Sequence, residues 1–170
     1  MITSTEKTAI MAENKIDYIH KDFKKPWDLP CASMWVLTNK GDMVCVSKHP
    51  DVYDLLEAED TVQSVMGFEF FAVLTCGWAA PIDDLGELGD LPPSKHKKRR
   101  RVRLVVGSDY DGVASVIRFQ DKPDETVVDA GMARGSLADS IVSLQKRKAL
   151  AETADVMTEI KQLLEGETNE

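Results

Sequence analysis

The sequence predicts an α+β domain: a mostly antiparallel sheet of two hairpins and a central strand, packed by an acidic helix and a long C-terminal helix. Three observations carry that prediction. Apolar and polar residues alternate around turn residues in "MWVLTNKGDMVCVS" and "RRVRLVVGSDYDGVASVIRF". "FEFFAVLTCGWAAP" is apolar on both parities, and apolar stripes of helical period run through 52–66 and 136–165. At 170 residues, 43% of them hydrophobic and 29% charged, the chain suits one globular domain with a sizeable core.

Residues 1–27 are polar, but Ile16, Ile19 and Phe23 recur at helical spacing, so a short amphipathic helix is expected to end before Pro26. "KKPWDLP" reads as a loop. In the first hairpin, a turn centred on Lys40 and Gly41 puts Trp35 and Leu37 on one face with Val44 and Val46. Pro50 suits the first turn of a helix whose stripe is Val52, Leu55, Leu56, Val62 and Met66, with the acids mostly off it.

The run at 68–81 then reads as a central strand covered on both faces, ended by Gly77 and Pro81. "IDDLGELGDLPPS" reads as a surface loop. After the second hairpin come a short strand at Thr126 to Val128 and a glycine-rich connection. Ser136, with Asp139 three residues on, resembles a capping box for a helix reaching about Glu165. The organisation expected is a polar N-terminal segment with a short helix (1–27), an α+β core (28–145) and a C-terminal helical extension (146–170).

Charge is segregated along a chain of net charge −8. Every charged residue from Asp51 to Asp90 is acidic, and Lys95 to Arg103 reverses the sign. With Asp111 and Gly112 as a tight hairpin turn, Leu104, Val106, Ile117 and Phe119 face the core. Arg101, Arg103, Val105, Arg118 and Lys122 then face outward, with Lys95, Lys97, Lys98 and Arg99 in the loop ahead. Such a patch has three readings. It is a solvated face paired with the protein's own acidic segments, a docking surface for an acidic protein, or a phosphate-binding face. Aromatic stacking partners for bases are sparse, with Tyr110 at the hairpin tip. Protein rather than nucleic acid is therefore the expected macromolecular partner.

In the last helix Leu150, Met157 and Leu164 are seven apart, with Ile160 between them. This stripe is out of register with Leu137, Ile141 and Leu144, because Lys148 falls where the first stripe calls for an apolar residue. A break near "QKRKA" is expected. Leu150, Met157, Ile160 and Leu164 then either fold back on the core or form a seam with a second copy.

Enzyme signatures are weak, and no catalytic residue, cofactor or metal is expected. Asp109 and Asp111 stand two apart, as a cation site would have them, but Asp before Gly is ordinary turn chemistry. Cys31, Cys45 and Cys76 form no C-x-x-C pair and read as reduced, mostly buried thiols; Cys76 lacks the surroundings of a thiol nucleophile. Gly131 to Ser136 before a helix fits neither a P-loop nor a dinucleotide fingerprint. The longest apolar run is too short to cross a bilayer and the N-terminus lacks a signal-peptide core, so the chain is expected to be soluble and cytoplasmic.

"GWAAP" at Gly77 to Pro81, followed by "RRRVRLVV", "DGVASVIRF", "PDE" and "GSLADSI", resembles a group of small proteins of actinobacteria and their phages with no established activity. The likeness covers roughly 73–144 and implies a bacterial or phage cytoplasm, with no chemistry attached. Together these features point to a non-enzymatic interaction protein, an accessory or host-modulating factor acting through charge-segregated faces. The alternatives are nucleic-acid binding by the basic hairpin 95–122 and a small metal-dependent hydrolase.

Overall fold

The computed structural model describes residues 2–80, 93–129 and 136–167. The loop expected after Pro81 and the glycine-rich connection ahead of Ser136 lie almost wholly outside them. Six antiparallel strands form one sheet in the order β2-β1-β3-β4-β5-β6. They are β1 (Ala32–Leu37), β2 (Met43–His49), β3 (Phe71–Ala79), β4 (Arg100–Ser108), β5 (Val113–Phe119) and β6 (Lys122–Asp129). The helices are α1 (Ser4–His20), α2 (Val52–Glu57), α3 (Glu59–Val65) and α4 (Ser136–Glu167). No helix among the described residues is long and apolar enough to cross a membrane.

Strand β3 is the interior strand the doubly apolar pattern predicts. Phe71 and Val73 join Met34, Val36 and Val106 beneath α2, α3 and α4, where Leu55, Leu56, Ile141 and Leu144 meet them. Ala72 and Leu74, on the opposite parity, join Trp35, Val105 and Val116 beneath α1. Burying each large apolar side chain of this kind contributes about 1.5–3 kcal/mol, so both faces of the sheet hold the fold together.

Cover on the second face comes from α1, which is longer than the expected helix and uses another stripe. Thr3 and Glu6 close a capping box: the Thr3 hydroxyl accepts from the Glu6 N–H at 3.1 Å, and the Glu6 carboxylate accepts from the Thr3 N–H at 2.6 Å. Ala9, Ala12 and Ile16 line the buried side, whereas Ile19 and Phe23 are exposed. Small side chains let the helix sit close to the sheet. A close approach is also built in at Gly107, where an added Cβ would lie 2.3 Å from Cζ of Phe70.

Two further expectations shift. The first turn closes between Thr38 and Asp42 and centres on Lys40, pairing Trp35 with Cys45 and Leu37 with Met43, so Val44 and Val46 fall on the other face; a bulge between Met34 and Trp35 then shifts the outer pairs by one. A one-residue slip exchanges the faces of a strand. The turn itself depends on Gly41, at φ +81°. The acidic helix is in fact two, broken at Ala58 (φ −64°, ψ 135°), and α2 is capped by Asp51 instead of being started by Pro50. The Thr61 hydroxyl satisfies the Leu55 carbonyl released at that break, at 2.5 Å, and Arg147 donates to Leu56 O and Glu57 O.

Candidate functional site

The second hairpin closes through four residues, Asp109 to Gly112, instead of a two-residue turn, giving the pairs Leu104↔Ile117 and Arg103↔Arg118. The faces are those expected, but the arginine face does not meet solvent. Arg103 and Arg118 are only 4% and 6% exposed, and Val105, next along the same face of β4, is buried. Arg118 makes a two-pronged contact with Glu13 of α1, Nε to Oε1 at 2.7 Å and Nη2 to Oε2 at 2.7 Å. Arg103 donates to Asp17, one helical turn further on, and its guanidinium lies 4.4 Å from the Trp27 ring. Residues four apart on a helix and partners across two strands are separated by nearly the same distance, so two acids on α1 meet two arginines on the sheet. The Glu13 carboxylate pushes the Arg118 guanidinium further up from its already high range.

Arg101 is bound as well. It donates to Trp27 O at 2.9 Å and to Asp28 Oδ1 at 3.0 Å, pinning the segment after α1 to the sheet. Arg100 pairs with Asp121 at 2.6 Å and lies over the Phe119 ring. Lys97, Lys98 and Arg99 are exposed, with Arg99 5.0 Å from the centre of the Trp78 ring. The basic run thus divides into a surface part, Lys95 to Arg99, and an internal part that holds α1 in place.

The C-terminal helix runs unbroken from Ser136 to Glu167, so the expected interruption near "QKRKA" is absent. Lys148, the residue that disturbs the register, is fully buried; its ammonium contacts Glu152 at 2.6 Å and the Tyr110 hydroxyl at 3.0 Å. At 100° per residue, the buried side of Leu137, Ile141, Leu144 and Lys148 lies roughly 150° around the helix from the later stripe. One helix therefore carries two apolar faces, and only the first meets the sheet. From Thr153 to Gly166 every residue is exposed. Leu150 is 72% exposed, Leu163 70% and Ile160 45%, and Val156, Met157 and Leu164 are exposed with them.

No family model, curated protein or solved structure matches the chain.

At the hairpin tip, Asp109 Oδ1 accepts from the Thr5 hydroxyl at 2.8 Å and from the N–H groups of Asp111 and Gly112 at 2.9 and 3.1 Å. That oxygen organises the turn and ties it to the start of α1. Among the described residues no group of three or more His, Cys, Asp or Glu is placed to hold a metal ion. Cys31, Cys45 and Cys76 are free thiols and only half-buried. Burial pushes the Cys45 and Cys76 thiols up, away from the thiolate a nucleophile needs.

Proposed function

We propose that this chain is a non-enzymatic interaction protein that meets a protein partner, in the first instance a second copy of itself, through the later stripe of α4. The observation that carries this reading is a continuous helix whose second apolar face points away from its own core and stands in solvent. A face of that width, about 140° of the helix circumference, suits helix-to-helix packing. Lys161 lies on one flank of the stripe and Glu159 on the other. Two copies packed in parallel bring opposite charges together along both flanks, whereas antiparallel packing matches like with like. Because the sheet lies on the far side of α4, the two folded bodies stand clear of the seam.

Nucleic-acid binding by the hairpin is less well supported, since guanidiniums paired to Glu13 and Asp17 beneath a helix are not available to phosphates. Light scattering on the full chain and on a chain ending after Thr153 tests the proposal. This boundary keeps Glu152, without which buried Lys148 would lose its counter-charge. The full chain is expected to be a dimer and the shortened one a folded monomer, with Met157→Lys, Ile160→Lys acting like the truncation. A full chain that stays monomeric at high micromolar concentration overturns the reading.

A further inference from the structure

A second site is distinct from α4. The segment after α1 folds over the end of β1 and β2 and encloses a cleft of ≈ 650 Å³, within the range that small-molecule sites occupy. Arg101 and Arg103 hold its wall in place through Trp27 and Asp28. Phe23, Leu29 and Pro30 give that wall apolar surface, and Lys24, Lys25 and Lys48 line the same cleft.

Charge there is unbalanced. The one carboxylate in the lining is Asp28, and Arg101 already engages it at 3.0 Å. Some lysines elsewhere are matched, Lys15 to Gly41 O, Lys21 over the Tyr18 ring, Lys122 to Glu125, Lys148 to Glu152 and Lys161 to Glu165. Others on the surface, such as Lys7, Lys40 and Lys146, stand alone among the described residues; the cleft differs in gathering three lysines around one cavity. Lys24, Lys25 and Lys48 make no side-chain hydrogen bond or ion pair among the described residues.

Two more lining residues, His20 and Ser33, are each 5% exposed and have hydrogen-bonding capacity left over. The Ser33 oxygen accepts from the Trp35 indole N–H at 2.8 Å, which leaves its own O–H without an acceptor among the described residues. His20 Nδ1 lies 2.8 Å from the Ile16 carbonyl, which can only accept, so Nδ1 carries a proton. Its Nε2 has no partner among the described residues and opens to solvent in the cleft, leaving the Ser33 hydroxyl as the buried group with the unmet bond. A nearly buried polar group with an unmet bond, set beside unpaired cations and apolar wall, is the composition of a ligand site.

We infer that this cleft binds a small organic anion: an aromatic or short aliphatic body against Phe23, Leu29 and Pro30, a carboxylate or phosphate met by Lys24, Lys25 and Lys48, and a polar group hydrogen-bonded to Ser33. Titration of the full chain with 1-naphthyl phosphate, followed by amide NMR shifts, tests it, with 1-naphthol and inorganic phosphate as parallel probes. Saturable shifts confined to 20–33 and Lys48 are expected at millimolar concentration or below. Affinity should fall about tenfold or more in Lys25→Ala, Lys48→Ala, since charge-assisted contacts supply the specificity, and each half-probe should bind more weakly. No saturable shift at these residues overturns the inference, as does equal affinity for 1-naphthol or a double variant that binds like the parent. A melting curve confirms that the variant is folded, which exposed lysines without partners allow.

Discussion

Thr5, Glu6, Ala9, Ala12 and Glu13 are buried on the inner face of α1, whereas Leu150, Val156, Met157 and Leu163 of α4 stand in solvent. By composition the two segments should trade places. The difference teaches that what lies opposite a helix decides its burial. The sheet surface facing α1 is made of Ala72, Val105, Ala114 and Val116, close-packed small and medium side chains, with Arg103 and Arg118 supplying the charges that Glu13 and Asp17 need. The second half of α4 has no described element against it. Lys148 marks the transition, a buried cation held by Glu152 and Tyr110 at the point where the helix leaves the sheet.

The sharpest way to break this contrast is to remove one side of the buried pair. Arg118→Ala should cost about 3–5 kcal/mol in denaturant melts, because Glu13 is left as an unmatched charge under the helix; Glu13→Ala should cost less, since Arg118 keeps Asp17 at 3.6 Å and Asn14 at 3.2 Å. Replacing both by methionine should cost far less than Arg118→Ala, and a double variant as damaged as that single one would refute the pairing. A smaller effect is expected from His20 at the end of α1. Burial holds its pKa below the usual 6.5, against the hydrogen bond to Ile16, with Arg103 and Lys48 adding to the depression and Asp17 opposing it. The unfolded chain therefore binds the proton more readily, so stability present above the unfolded pKa is lost as pH falls below it. Melting temperature should drop more between pH 7.5 and 5.5 for the parent than for His20→Asn. The smallest effect belongs to the other helix. At concentrations too low for association, Leu163→Ser should change stability by no more than about 0.5 kcal/mol, and a larger loss would mean that the stripe is covered by its own chain.

Much of the sheet was legible because alternation and turn residues have a period of two, and β3 declared itself by being apolar on both parities. The unequal helical stripes at 137–144 and 150–164 were legible for a similar reason, but Lys148 read as the end of the first stripe and a break, whereas it continues that stripe as a buried cation in an unbroken helix. What escaped was α1. Its buried side is alanine, threonine and glutamate, which read as solvated, and an arginine row on a strand reads the same way when its covering helix goes unrecognised. The signal was present in "TSTE", a capping box at Thr3 and Glu6. Ser33 and His20 could not have been found at all, because their significance lies in hydrogen bonds left unmade and not in their spacing.

The Glu13 and Arg118 contact spans 105 residues of chain. At about 5–20 residues per second, a ribosome takes roughly 5–20 s to deliver β5 after α1 has been made. A 17-residue helix is marginal alone in water, so α1 spends that interval forming and melting with Glu13 and Asp17 unneutralised. Of the described helices α1 comes first in the chain, yet the surface that buries it exists only once β4 and β5 are in place.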